Sequence, residues 1–411
     1  MGLPTSDRAL DVAVYGASGF VGRLVAEYLA EHAPDTHVGL AGSSRERLEE
    51  VRDGLGPAAA SWPVIVADAE DNAALAELAR STRVVVTTVG PYSRHGMPLA
   101  RACAEAGTHY ADLAGEVLFI RETAQRLHET AQRTGARIVH SCGFDSVPSD
   151  LGAFLTAERA RADGAGELLA TTLAVRSASG GVSGGTIDSM RIQVDAGGDP
   201  DNRRILADPY ALVPDRADAP DVDQHTPSQP FRDAQTGTWV TTFPMAAFNS
   251  RIVHRSNALL GWRYGRDFRY REVVDLGPGP RGRRRAQALS AATGAAAGVM
   301  AFPPTRWVAD RLLPSPGDGP DEETRRNGHF RMEVVARTTS GARYRTVVAA
   351  QGDPGYAATS VMIGESALAL THDEAQLPGG GGVLTPATAL GTVLADRLVA
   401  AGFEITTERL G

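Results

Sequence analysis

The stretch DVAVYGASGFVG, residues 11–22, constrains the fold more than any other part of the chain. A short β-branched run leads directly into Gly16-Ala17-Ser18-Gly19-Phe20-Val21-Gly22, and the amphipathic segment FVGRLVAEYLAEHA follows. Glycines at this G-x-x-G-x-x-G spacing permit a tight turn and let backbone N–H groups approach a pyrophosphate at a helix N-terminus. A purely structural glycine turn would read the same way. A strand before it and a helix after it, at the head of a βαβ pattern, are the context a dinucleotide site requires.

That pattern repeats. HVGL, PVIVA, RVVVTTV, THYADL and ARIVHS follow as strand-like runs up to about Asp150, separated by helical stretches such as NAALAELARS, GMPLARACAEAG and FIRETAQRLHETAQRTG. Strand and helix in alternation predict an α/β, Rossmann-type doubly wound parallel sheet over residues 1–150, with its ligand at the C-terminal strand ends. From 151 to 382 the runs LLATTLAVRS, TIDSMRIQV, FRMEVVARTTS and ARYRTVVAAQG are longer and more alternating, and Pro/Gly/Asp-rich connectors separate them. This texture predicts a second α+β domain with a mixed sheet. Near the C-terminus Thr385, Pro386 and Gly402 mark the cap, first turn and stop of a strong helix.

All 41 basic residues are arginine; against 49 acidic residues they leave a net charge of −8. Without lysine there is no Schiff-base amine, no P-loop lysine and no tyrosine-lysine proton relay. An acidic balance of this kind argues against general nucleic-acid binding. Cys103 and Cys142 are too few for a disulfide framework or a cysteine-based metal site, so no metal is expected, and the pair suits a reducing, cytoplasmic setting. No signal peptide is evident. The run Ala288–Phe302, about fifteen residues, falls short of the roughly twenty needed to span a bilayer and reads as a buried or interfacial helix.

Strand ends supply the candidate site. The second strand closes at Ala41-Gly-Ser43-Ser44-Arg45 without the acid that would hold a ribose 2′-hydroxyl, which favours NADP(H) over NAD(H), with these two serines and Arg45 on the 2′-phosphate. Asp68 faces an adenine edge or caps a helix. Val89, Gly90 and Pro91 follow the fourth strand where a nicotinamide ribose would be held. Tyr92, Tyr110, Asp112, Cys142 and Asp145 are the candidate catalytic groups, although Asp112 equally well braces its loop and Asp145 equally well caps the helix starting near Val147. His95 sits at a helix start.

GASGFVG, TVGPY, YADLAGE and CGFDSVPSD, in this order and spacing, resemble the saccharopine dehydrogenase family, closest to its actinobacterial branch of trans-acting enoyl reductases. SGGTIDS, GDPGYAATS and GGVLTPA further on look like the same family, so the resemblance spans about residues 11–402, the acidic connectors around 199–235 excepted. It implies an NADP(H)-binding Rossmann domain, a second domain over the nicotinamide, and a C-terminal segment, 383–411, returning to the first domain. It also implies reduction of an α,β-unsaturated thioester on a polyketide or lipid chain carried by a partner synthase. Members often carry Arg where this chain has Ser43, a departure that bears on the 2′-phosphate. Two other readings stand beside it. One is saccharopine-type amino-acid or imine chemistry, for which Arg176 or Arg191 are candidate clamps; the other is a non-catalytic nucleotide-binding, lipid-associated or scaffold protein. The cluster Arg281-Gly-Arg283-Arg284-Arg285 docks either an acyl carrier partner or an anionic lipid surface in peripheral contact, or is a solvated loop beside a core helix. Alternating strands in the second domain leave a homodimer open.

Overall fold

All six β-branched runs at the head of the chain form strands. The computed structural model describes residues 8–180, 191–192, 195–301 and 319–410. These are β1 Leu10–Tyr15, β2 Val38–Gly42, β3 Val64–Val66, β4 Thr82–Thr87, β5 His109–Asp112 and β6 Arg137–Val139. Between them lie α1 Phe20–His32, α2 Arg45–Gly54, α3 Asn72–Ser81, α4 Tyr92–Ala106 and α5 Val117–Thr134. A seventh strand, Gly382–Leu384, pairs in parallel with β6, giving the order β3-β2-β1-β4-β5-β6 and then this last strand. The order reverses between β1 and β4, which places the ligand crevice at their C-terminal ends.

Strand alternation buries both faces. Ala13, Tyr15, Val85, Tyr110, Ile138 and Val383 pack with Leu75, Leu78, Leu99, Cys103 and Leu127 of α3, α4 and α5. Val12, Val14, Val84 and Val86, pointing the other way, are equally inaccessible, on the side where the helix Thr359–His372 lies against β1 and β4.

The chain divides into two units. The first runs to Val147, takes in Gly317–Gly319 and resumes at Gly355–Ala401; the second covers Pro148–Pro316 and Pro320–Pro354 and resumes at Gly402. Two segments therefore fall differently from the sequence reading. Thr359–His372 belongs to the first unit, where Glu365 accepts from Tyr28 Oη (2.5 Å) and pairs with Arg397 (2.8 Å). This helix is buried on nearly every side, so it lacks the amphipathic period that would have marked its docking face. The final strand, Glu404–Leu410, pairs antiparallel in the second unit with the strand Arg343–Gln351. The second sheet is mixed: Leu168–Ser179 runs parallel to Arg269–Asp275 and antiparallel to His329–Thr338, which pairs in turn with Arg343–Gln351. Of the expected strand TIDSMRIQV only 191–192 are described, and they are helical; the rest, with all of SGGTIDS, lies outside the described residues.

The helix Pro386–Ala400 begins as read, with Thr385 at its N-cap. Thr385 Oγ1 accepts from the Thr388 N–H, and the Thr388 hydroxyl accepts from the Thr385 N–H (3.0 Å). Thr385→Ala removes half of this reciprocal cap and lowers stability by about 1 kcal/mol, read as a shift in the urea midpoint at constant slope.

Candidate functional site

The glycine turn is built for close approach. Gly16 holds φ +87°, and a Cβ at Gly22 would lie 2.1 Å from the Gly16 carbonyl oxygen. Gly19, at the N-cap of α1, donates its N–H to that same oxygen (2.9 Å). Ala17 is buried, Ser18 and Val21 are half-buried, and Phe20 packs edge-on to Tyr356 with centroids 5.0 Å apart. Val89, at the end of β4, seats its Cγ2 against Gly16, 2.6 Å from where a Cβ would stand. The sheet thus joins the β1 and β4 ends that the sequence nominated separately. Gly90 and Pro91 follow, with Pro91 at the N-cap of α4 and His95 in its first turn.

At the end of β2, Ser43 is exposed and Ser44 caps α2 by accepting from the Arg47 N–H (3.4 Å). Arg45 has a side chain 61% exposed, 3.6 Å from Glu49. Two hydroxyls and a guanidinium with no intervening acid fit a 2′-phosphate. Asp68 is exposed and accepts from the Glu70 N–H; the cap of α3 falls to Asp71, three residues later than the alternative reading of Asp68 required.

The five candidate acid-base groups separate sharply by environment. Tyr92 Oη donates to the Thr87 carbonyl (3.1 Å) and accepts from the Leu113 N–H (3.1 Å). Tyr110 Oη donates to Asp112 (3.0 Å). Burial, reinforced by the Asp112 carboxylate, pushes both phenols well above their ordinary range. Asp112 is fully inaccessible: Oδ1 accepts from the Ala114 (2.9 Å) and Ser141 (3.0 Å) N–H groups, while Oδ2 takes the Tyr110 bond and lies 2.7 Å from His140 Nδ1. The Cys142 thiol is buried and directed at the Val139 carbonyl (3.6 Å). Asp145 differs from the other four. It is only half-buried, its carboxyl makes no hydrogen bond among the described residues, and the Val147 N–H donates to the Gly143 carbonyl, so the helix has no cap from Asp145. Burial still raises the Asp145 carboxyl from 3.8 to about 6.

The individual candidates did not disclose Glu116, although it stands in YADLAGE. Its two oxygens accept from the Tyr92 (2.8 Å) and Ser93 (2.9 Å) N–H groups, clamping the start of α4 to the loop after β5. His140 and Thr123 were missed as well. Thr123 Oγ1 donates to the Ile120 carbonyl (2.8 Å) and lies 2.8 Å from His140 Nε2, extending the Asp112 network.

A parallel sheet of this order with a glycine turn between β1 and α1 defines a Rossmann-type dinucleotide-binding fold. Residues 12–139 match the family model of the saccharopine dehydrogenase NADP-binding domain. A trans-acting enoyl reductase of Mycobacterium ulcerans is 43% identical over 425 residues, covering 99% of this chain and all of that one. Its counterpart in Mycobacterium bovis BCG is 44% identical over 423 residues, covering 98% and 99%. A Mycobacterium tuberculosis protein given the same name provisionally is 47% identical over 422 residues, covering 99% and 100%. Apo saccharopine dehydrogenase (L-Glu forming) from Saccharomyces cerevisiae shares the fold, with TM-score 0.52, 10% identity, and coverage of 97% and 99%. The chain belongs to the saccharopine dehydrogenase family, in the branch that holds the trans-acting enoyl reductases.

Gly22→Ala must displace backbone, since the atom it would meet is the Gly16 carbonyl. NADPH affinity, followed by quenching of tryptophan fluorescence, falls on the order of tenfold or more, ~1.4 kcal/mol.

Proposed function

We propose that this chain reduces an α,β-unsaturated thioester of a polyketide or lipid chain, using NADPH, with the substrate presented by a separate synthase. The family assignment supports the reaction class. The observation that carries the chemistry is the contrast between Asp145 and the other four candidates, all held in hydrogen bonds.

NADPH, when bound, supplies the hydride, which goes to the β-carbon. The chain's residues do the rest. The glycine turn and the N-terminus of α1 hold the pyrophosphate, and Ser43, Ser44 and Arg45 hold the 2′-phosphate. With lysine absent and both tyrosines tied to backbone or Asp112, the proton for the α-carbon comes from Asp145, a half-buried residue whose carboxyl retains its proton near pH 6. Asp112 and Glu116 position the loops that carry these groups.

Amino-acid chemistry receives less support. Arg176, a candidate clamp for a substrate carboxylate, is held by Asp275 and by Glu333 (2.9 Å). Arg191 stands in a described helical pair without a defined role.

Two measurements test the reading. A wild-type preparation reduces a crotonyl thioester with NADPH, and kcat/KM declines as pH rises through about 6, where Asp145 loses its proton. Asp145→Asn lowers the rate on the order of a hundredfold and flattens that limb while leaving NADPH affinity unchanged. An unchanged pH profile in the variant removes Asp145 from the reaction. Separately, Arg45→Ala weakens NADPH about tenfold and leaves NADH unaffected in fluorescence titrations, since only the former carries the phosphate.

A further inference from the structure

The arginine cluster lies on a helix, not in a loop, and the apolar run after it is not core. Gly279–Ala301 is one continuous helix. Its base is seated: Gly282 and Ala286 are buried, and the Arg283 guanidinium stacks over the Trp239 ring at 5.4 Å. Arg281, Arg284 and Arg285 share the opposite face by helical spacing and are exposed, and none of the four makes an ion pair among the described residues. Elsewhere in this unit Arg271 pairs with Asp233, Arg331 with Glu404 and Arg345 with Glu408. The 26 residues 276–301 contain four arginines and no acid, in a chain whose net charge is −8.

Beyond Ala286 the helix has no charged residue. From Gln287 to Val299 every residue with a described side chain is exposed except half-buried Ser290, Leu289 and Val299 by 36% and 39%. A Cβ built on Gly294 or Gly298 meets nothing within 4 Å. An isolated helix of this length carrying two internal glycines is marginal in water. Its exposure on all sides differs from the single bared face that packing on one protein surface would leave. The uncharged part, about 21 Å long at 1.5 Å per residue, is too short to cross a hydrocarbon core, and no described helix is long and apolar enough to do so.

We propose that this helix docks the protein on an anionic lipid bilayer, with Arg281, Arg284 and Arg285 on lipid phosphates and the uncharged turns entering one leaflet. Guanidinium groups suit this, since they bind phosphate oxygens bidentately and are more weakly hydrated than ammonium. The inference does not depend on the enoyl reading, because it concerns adsorption rather than turnover.

Co-sedimentation of the full chain with vesicles tests it. The wild type pellets with mixed phosphatidylcholine and phosphatidylglycerol vesicles, not with pure phosphatidylcholine, and is released by salt. The triple variant R281E/R284E/R285E loses on the order of a hundredfold in partition, and L289D/V299D also binds more weakly while keeping the salt dependence. NADPH titration of each variant verifies folding. Absence of wild-type binding to the anionic vesicles overturns the proposal, as does binding that charge reversal leaves intact. Salt-sensitive binding to a purified acyl carrier protein without any to vesicles also overturns it and assigns the surface to an acidic protein partner.

Discussion

The carboxylate of Asp112 organises the edge of the sheet where chemistry would occur. A fully buried charge is costly unless hydrogen-bonded on all sides, and here donors come from Tyr110, Ala114 and Ser141, with His140 at 2.7 Å. These partners belong to β5, to the loop after it and to the loop after β6. One side chain therefore fixes the spacing of two strand ends. Ser141 is held at φ +65°, a left-handed conformation rare for a non-glycine residue, by its N–H bond to Asp112 and its hydroxyl bond to the Ala114 carbonyl (2.7 Å). Glu116 does the equivalent for the β4 loop through two adjacent N–H groups. The crevice is thus preorganised, which limits what a cofactor must order on arrival.

In this architecture both tyrosine hydroxyls are engaged in buried hydrogen bonds. A phenol that donates to a buried carboxylate or a carbonyl stabilises the fold through a bond it would have to surrender to react. Asp145 lies outside the network, and its freedom follows from the Gly143–Val147 turn that satisfies the helix start without it.

How much was legible in the sequence depended on the range of the interaction concerned. The glycine turn, the six strands and the capped C-terminal helix are local events, decided by glycine conformational freedom, β-branching and a threonine cap, so they stood out in a single reading. The strand Gly382–Leu384 did not, because three residues carry no period and its identity comes from β6. Glu116 and His140 were missed for the same reason: their partners are 24 and 28 residues away. For the helix Gly279–Ala301 the choice between a buried and an interfacial place was not legible, because alanine and glycine say little about inside or outside and only the fold shows most of its distal side chains exposed. Absence of lysine, visible at once, gained meaning only when the tyrosines proved to be occupied.

Both sheets are completed by late strands. Gly382–Leu384 closes the first against β6, and Glu404–Leu410 closes the second against Arg343–Gln351. A ribosome therefore exposes β6 roughly 240 residues before its outer neighbour is made. Folding one unit at a time during synthesis is the usual route for a chain of two units, and here each unit lacks one strand of its sheet until residues 382–384 and 404–410 have been made. Such edges attract other strands, so this topology leaves β6 and the strand Arg343–Gln351 open to other pairings until those segments are made.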